Sequence, residues 1–280
     1  MLELANVNGT ICPVEEARIP AEDRGFLFGD GVYEVIRTYR GRMWAADLHF
    51  ERLERSLREL EIENYDLGQY RRWVVETWEA SEIAEALIYF QVTRGSGPRS
   101  HVWTRDLRPT FFLTARPFPS RAAWTSEGVK VQTFPDWRWG RCDIKSINLL
   151  PNVLAKQQAR KQGAYEALFV SERDEIREGA SCAVFGVRQG VLVTPPLTHH
   201  VLPSITRKIV IEIAREFSIP SEEETTRIGD FARMDEAFLA STGDEVAGIT
   251  HLDGKPLGNG KPGEITKKLQ EEYQRRVTAK

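Results

Sequence analysis

The sequence predicts a mixed α/β (α+β) protein built as two domains, and three observations lead there. Stretches of apolar alternation and stretches of helical period interleave in both halves of the chain. The 280 residues, 41% hydrophobic and 28% charged, suffice for two modest cores. A short, polar, proline-bearing run at 116–121 separates the halves. The expected boundaries are therefore 1-118 for a smaller N-terminal domain, 119-123 for a linker and 124-280 for a C-terminal domain, with a cleft between the lobes as the place for a ligand.

The elements follow in order. Asn8-Gly9 favours a tight primed turn, so residues 4–7 and 10–12 read as an opening hairpin. Glu22 to Gly31 is a glycine-punctuated loop that leads into a strand over 32–39, whose period of two puts Tyr33, Val35 and Arg37 on one face. Leu48, Leu53, Leu57 and Leu60 fall mostly at helical spacing, and a second helix is expected over 67–79. Strands are expected at 86–93, 110–115 and 129–133, then a helix that ends near Gly163. A meander follows at 165–170, 182–187 and 191–194, with turns at Glu172-Arg173-Asp174 and Gln189-Gly190. A helix opens at Ser204 with Ile205, Ile209, Ile213 and Phe217 on one stripe, a short strand runs through Ala237-Phe238-Leu239, and a last helix carries Ile265, Leu269 and Tyr273.

Composition excludes several classes. A net charge of -3, with lysine and arginine spread among acids, gives no footprint for nucleic acid. No apolar run approaches the roughly 20 residues of a membrane span, and Met1-Leu2-Glu3-Leu4 has neither the basic start nor the apolar core of a signal peptide. Cys12, Cys142 and Cys182 lack metal or redox spacing, so the expectation is a reducing cytoplasm and no metal. His199-His200, in a proline-bounded loop, reads as a solvated pair, and His49 and His251 as packing residues.

Four stretches carry chemistry. Lys145 stands among Trp137, Trp139, Ile144, Ile147, Leu149 and Leu150, where partial desolvation would make its amine a nucleophile and Schiff-base former; alone it also reads as a strand-end lysine with a snorkelling stem. Glu178, in Ile176-Arg177-Glu178-Gly179-Ala180-Ser181, reads by spacing as a hairpin acid beside Arg177. Leu202-Pro203-Ser204-Ile205-Thr206-Arg207 opens a helix with two hydroxyls in its first turn, which makes either an anion site or a plain cap. Arg99 and His101 project two residues apart from a Gly- and Pro-marked loop; with a phenol they would trap a carboxylate, and alone they are surface polarity. Cys142 has no histidine partner that would make it a nucleophile.

The run from Arg138 to Leu150 resembles the lysine segment of the fold-type IV pyridoxal-phosphate enzymes. That group comprises D-amino-acid aminotransferases, branched-chain aminotransferases and aminodeoxychorismate lyase. The likeness covers nearly the whole chain and is strongest toward the D-amino-acid enzymes. It implies a two-domain fold with mixed sheets, pyridoxal 5'-phosphate in the interdomain cleft, and a C-terminal domain that binds it. Lys145 would hold the cofactor and shuttle the proton. Glu178 would face the ring nitrogen, and Leu202 would support the ring. Arg52, Ile205, Thr206 and Thr242 of the Ser241-Thr242 pair would grip the phosphate, with Ser241, Arg138 and Ser181 completing the cofactor set.

Tyr33, Arg99 and His101 would hold the substrate α-carboxylate, and the Arg-x-His loop would come from the neighbouring subunit of a homodimer. Val35 stands where branched-chain enzymes usually have glycine. The implied reaction moves an amino group between D-amino acids and 2-oxo acids, of the type D-alanine plus 2-oxoglutarate to pyruvate plus D-glutamate. The alternatives are an (R)-amine or branched-chain aminotransferase, aminodeoxychorismate lyase, or a non-catalytic cofactor carrier. Two departures stand out: Cys182-Ala183 where the family commonly has Ser-Asn, and Gly243-Asp244 where it has further hydroxyl residues.

Overall fold

A computed structural model describes residues 3–118 and 127–279. The linker expected at 119–123 lies outside the described residues. The chain divides into two compact units: Met1–Pro119 with Ile144–Asn148, and Ser120–Asp143 with Leu149–Lys280. The short lysine-bearing stretch thus packs with the first unit, a placement that a single linear boundary does not express.

Among the described residues, the first unit holds a six-stranded antiparallel sheet. Its strands are β1 (Leu4–Val7), β2 (Thr10–Pro13), β3 (Gly31–Tyr39), β4 (Arg42–Met43), β5 (Ala86–Thr93) and β6 (Thr110–Pro117), in the order β2-β1-β6-β5-β3-β4. Helices α1 (Arg24–Phe28), α2 (Ala46–Glu59) and α3 (Leu67–Ser81) complete it. Alternation along β3 and β5 sends Val32, Ile36, Ile88, Phe90 and Val92 inward, where they meet Phe50, Leu53 and Leu57 of α2 and Tyr70 and Val74 of α3. The same alternation leaves Tyr33, Val35 and Tyr89 half-buried on the opposite face.

The lysine stretch runs beside β3. Tyr33 donates its amide to the Lys145 carbonyl (2.9 Å), Ile147 donates to Gly31 (3.0 Å), and Val32 bridges Ser146. The Asn148 side chain adds a bond to the Gly29 carbonyl (2.9 Å), and Ile144 joins the apolar core.

The second unit holds a mixed nine-stranded sheet among the described residues. Its strands are β7 (Val129–Pro135), β8 (Glu166–Val170), β9 (Ile176–Gly179), β10 (Ala183–Arg188), β11 (Val191–Thr194), β12 (Ser221–Glu223), β13 (Glu236–Ser241), β14 (Glu245–Leu252) and β15 (Lys255–Pro256). The order is β12-β11-β10-β13-β14-β7-β8-β9, with β15 on β14. Strand β7 runs parallel to both β14 and β8, so a long crossover must return the chain from one end of the sheet to the other. That crossover carries the lysine stretch and α4 (Leu150–Lys161). Helix α5 (Ile205–Glu216) buries Ile205, Ile209 and Ile213 on one stripe; α6 (Ile228–Phe231) and α7 (Glu264–Thr278) complete the unit. Among the described residues, no helix is long and apolar enough to cross a membrane.

Besides the short elements β4, β12, α6 and β15, three elements differ from expectation. Helix α1 forms inside the stretch read as a loop, because Asp23 caps it by accepting from the Gly25 amide (2.8 Å) and Gly29 ends it at φ 68°. Strand β14 was not expected: nearly every residue from Glu245 to Leu252 is buried, so no alternation marks it. Strand β9 occupies the stretch read as a turn around Glu178.

Candidate active site

Each unit presents part of the expected chemistry. In the first unit, the half-buried Lys145 is held by its backbone against β3, and its Nζ lies 4.1 Å from the centre of the Tyr33 ring. Among the described residues, no carboxylate lies within ion-pair distance of that amine. The Tyr33 ring also stacks on Tyr89 at 5.6 Å, and Val35 sits opposite Tyr89 in the ladder. Arg37, further along the same face, is buried, with its guanidinium over the rings of Tyr39 and Phe118.

Behind that face lies a network absent from the sequence reading. Glu34 is fully buried and takes a fork from Arg52, Nε to Oε1 at 2.7 Å and Nη2 to Oε2 at 2.9 Å. His49 Nδ1 approaches Glu34 Oε2 at 2.7 Å. Burial alone would push the Glu34 carboxyl up, but the Arg52 guanidinium and His49 outweigh it and hold it down at about 2. Burial pushes His49 down, so it is neutral and Nδ1–H donates to the carboxylate. Arg52, expected to grip a phosphate, therefore has its guanidinium oriented by a fixed anion. One signal was available: Glu34 lies between Val32 and Ile36 on the inward face of β3, where an acid requires a buried cation.

Arg99 and His101 lie in the exposed loop that follows β5, gathered round one ring. Arg99 Cζ is 5.4 Å and the His101 ring 5.5 Å from the centre of Phe28. No hydrogen bond or ring contact joins either of them to Tyr33 among the described residues.

In the second unit, Glu178 at the end of β9 is 6% exposed and bonded to Arg138, and Oε2 accepts from the Leu202 amide (3.1 Å). Burial pushes this carboxyl up, while the guanidinium and the amide favour its ionised form. Arg138 is shared with Asp136, to which Nε donates at 2.8 Å and Nη2 at 2.9 Å. Arg138, Glu178 and Leu202 thus come together, and the stretch before α5 is tied to the acid through its backbone.

At the start of α5, Ser204 caps by accepting from the Arg207 amide (3.2 Å). The amides of Ile205 and Thr206 in the first turn have no helical acceptor and remain donors. Ser181 and Ser241 each have a carboxylate partner. Ser181 Oγ donates to the buried Glu166 (2.6 Å) and accepts from Lys156 Nζ (2.8 Å). Ser241 Oγ donates to Asp244 (3.0 Å), which also accepts from the Tyr165 hydroxyl (2.6 Å). Thr242 lies in the turn between β13 and β14.

The two departures acquire structural roles here. Asp244 holds Ser241 and Tyr165 in place, and Cys182 packs in the core beside Gly179, where burial keeps its thiol protonated. Cys142, also buried, donates to the Trp139 carbonyl and is pushed up to about 11, so it is no nucleophile at neutral pH. Taken together, the two units offer an amine with no carboxylate partner among the described residues, a buried carboxylate, helix-start amides with hydroxyls, and an arginine fixed by an acid.

Known proteins share this architecture. The family model for amino-transferase class IV matches residues 31–252. The D-alanine aminotransferase of Staphylococcus haemolyticus is 37% identical over 277 residues, 98% of this chain and 98% of that protein. The crystal structure of a branched-chain aminotransferase from the thermophilic archaeon Thermoproteus uzoniensis, with norvaline, is similar at a TM-score of 0.88 and 30% identity, covering 98% of this chain and 94% of that one. That of the branched-chain amino acid aminotransferase from Thermobaculum terrenum, in its PLP holo-form, gives a TM-score of 0.86 at 26% identity, covering 98% and 93%. With about four-fifths of its residues inside the family model and a full-length relative at this identity, the chain belongs to the class IV amino-transferases.

Proposed function

We propose that the chain uses pyridoxal 5'-phosphate to move an amino group between D-amino acids and 2-oxo acids, as in D-alanine plus 2-oxoglutarate giving pyruvate plus D-glutamate. The observation that carries this reading is Lys145: an amine without a carboxylate partner among the described residues, set over the Tyr33 ring by a backbone bonded to β3. The donor set suits the cofactor by its chemistry, since it offers an amine for an aldehyde, an acid for a pyridine nitrogen, and amides, hydroxyls and an arginine for a phosphate. A solved relative in PLP holo-form supports the choice.

When bound, pyridoxal phosphate supplies an aldehyde that accepts amino groups and a ring that draws electrons from the substrate Cα. Lys145 Nζ would take the proton from that Cα and deliver it at the cofactor's C4′, and would carry it the opposite way when the 2-oxo acid is aminated. Glu178, supported by Arg138, keeps the ring nitrogen protonated, and Leu202 supports the ring. Arg52, oriented by Glu34, binds the phosphate with the Ile205 and Thr206 amides and the Thr242 hydroxyl, while Ser181 and Ser241 hold their turns in shape. Tyr33, Arg99 and His101 bind the α-carboxylate, and Val35 narrows the space beside it.

The D-enantiomer preference rests on the Arg99 and His101 pair and on the names of full-length relatives. The chain acts as a homodimer whose loop serves the neighbouring copy; the exposure of Arg99 and His101, and of Phe26 and Val102 beside them, supports this. A second reading, a branched-chain aminotransferase, is favoured by the names of the solved structures.

Two measurements test these readings. Lys145→Ala should abolish transamination and the borohydride-fixable chromophore; activity that survives it removes the lysine from the mechanism. Turnover of D-alanine with no turnover of L-leucine, (R)-1-phenylethylamine or aminodeoxychorismate supports the first reading, and the reverse preference for L-leucine establishes the second.

A further inference from the structure

We propose that Arg24 is the positioning residue of the carboxylate-binding loop, holding Arg99 and His101 in their working arrangement from beneath. This rests on the reading that those two side chains bind the substrate carboxylate. Arg24 lies 76 residues before Ser100 and is 4% exposed, yet all three of its guanidinium nitrogens are used. Nη1 donates to the Ser100 carbonyl at 2.6 Å, Nη2 reaches toward the His101 carbonyl at 3.5 Å, and Nε donates to Asp30 at 2.8 Å. Both loop carbonyls follow Arg99 directly, so the fork sets the backbone from which Arg99 and His101 project.

Above the fork, Phe28 makes the same connection through its ring. Arg24 Cζ is 4.8 Å, Arg99 Cζ 5.4 Å and the His101 ring 5.5 Å from its centre. Asp30 secures the base by also accepting from Arg94, Nε at 2.9 Å and Nη2 at 3.0 Å, and Arg94 also donates to the Leu60 and Glu61 carbonyls. The entrance of the loop is fixed as well: Arg24 donates its amide to Gly95 (2.9 Å), and Gly97 donates to Glu22 (3.2 Å). At Gly95, φ is +100° and a Cβ would meet the Arg108 carbonyl oxygen at 1.9 Å, so the loop closes on itself there. Lysine at position 24 would keep the charge facing Asp30 but could not fork to two carbonyls and an acid at once.

The test compares Arg24→Lys, Arg99→Ala and the double variant in the holoenzyme, with D-alanine and 2-oxoglutarate as substrates. Arg24→Lys should raise KM for both by roughly tenfold with kcat within about twofold, Arg99→Ala should raise KM at least as much, and the double variant should be no worse than Arg99→Ala. Amide hydrogen exchange over residues 96–103 should quicken in Arg24→Lys. If Arg99→Ala raises KM and Arg24→Lys does not, or if the two effects add, the positioning role is overturned while the carboxylate reading stands. An unchanged KM in Arg99→Ala overturns both. Should Arg24→Lys fail to fold, Phe28→Leu replaces it under the same criteria.

Discussion

Glu34 shows how one side chain far from any recognisable motif governs one that the motif names. Facing this fixed anion, the Arg52 guanidinium is held in one orientation. The pH dependence has a definite sign. The folded carboxyl sits near 2, below its ordinary 4.5, so its contribution is fully present above about pH 4.5 and is lost as pH falls through 2. The shift corresponds to about 3 kcal/mol. His49, whose pKa burial also lowers, acts in the same direction, because acid must charge a buried imidazole. Glu34→Gln should therefore be less stable than the parent by about 3 kcal/mol at pH 7, with a gap that shrinks toward pH 2. Urea midpoints at pH 7, 4 and 2 check this, and a gap independent of pH would mean that Glu34 is not ionised in the folded chain.

Helix α7 depends on a residue outside it. The Glu236 carboxylate, on β13, accepts from the Ile265 amide (3.1 Å), the Thr266 amide (2.8 Å) and the Thr266 hydroxyl (2.7 Å). It thus does for α7 what Ser204 does for α5 from within its own sequence. Gly263 allows the approach, since a Cβ there would lie 2.0 Å from Glu236 Cδ. Glu236→Ala should cost about 1–2 kcal/mol and quicken hydrogen exchange at residues 265–268 while leaving β10 protected. Equal loss of protection in both places would show that the acid supports the sheet and not the helix start.

Helix α5 was legible in advance because its cap and its isoleucine stripe lie within a few residues of one another. Helix α7 was legible only from its stripe, its cap being nearly 30 residues away. Strands β3 and β5 declared themselves by alternation, whereas β14, paired on both edges and buried at every position but His251, had none to show.

At the level of assembly, Phe26 and Val102 are each 79% exposed on the first unit, beside the loop held by Arg24. Large apolar side chains so exposed suit burial against a second copy. Introducing charge with Phe26→Glu and Val102→Glu together should weaken the proposed dimer by roughly 100-fold, read as a dimer-to-monomer shift in sedimentation velocity at micromolar concentration. Activity per chain should fall with it if the loop serves the neighbour, and a monomeric variant with full activity would sink the shared-site reading.

What the sequence determined by itself depends on near neighbours, although the equally local Asp23 cap of α1 was missed. It includes the lysine in its apolar stretch, the helix start at Ser204, the Arg-x-His loop, and the mixture of strands and helices in two halves. Turn chemistry, caps and periodicity act within a few residues, and a linear reading sees them. Only the tertiary structure decided that Arg52 faces Glu34, that Arg24 reaches Ser100, that Ser181 is already bonded to Glu166, and that the Lys145 stretch packs with the first unit. Those pairings join residues brought side by side by strand register and helix packing, and a buried charge takes whichever opposite charge the fold delivers to it.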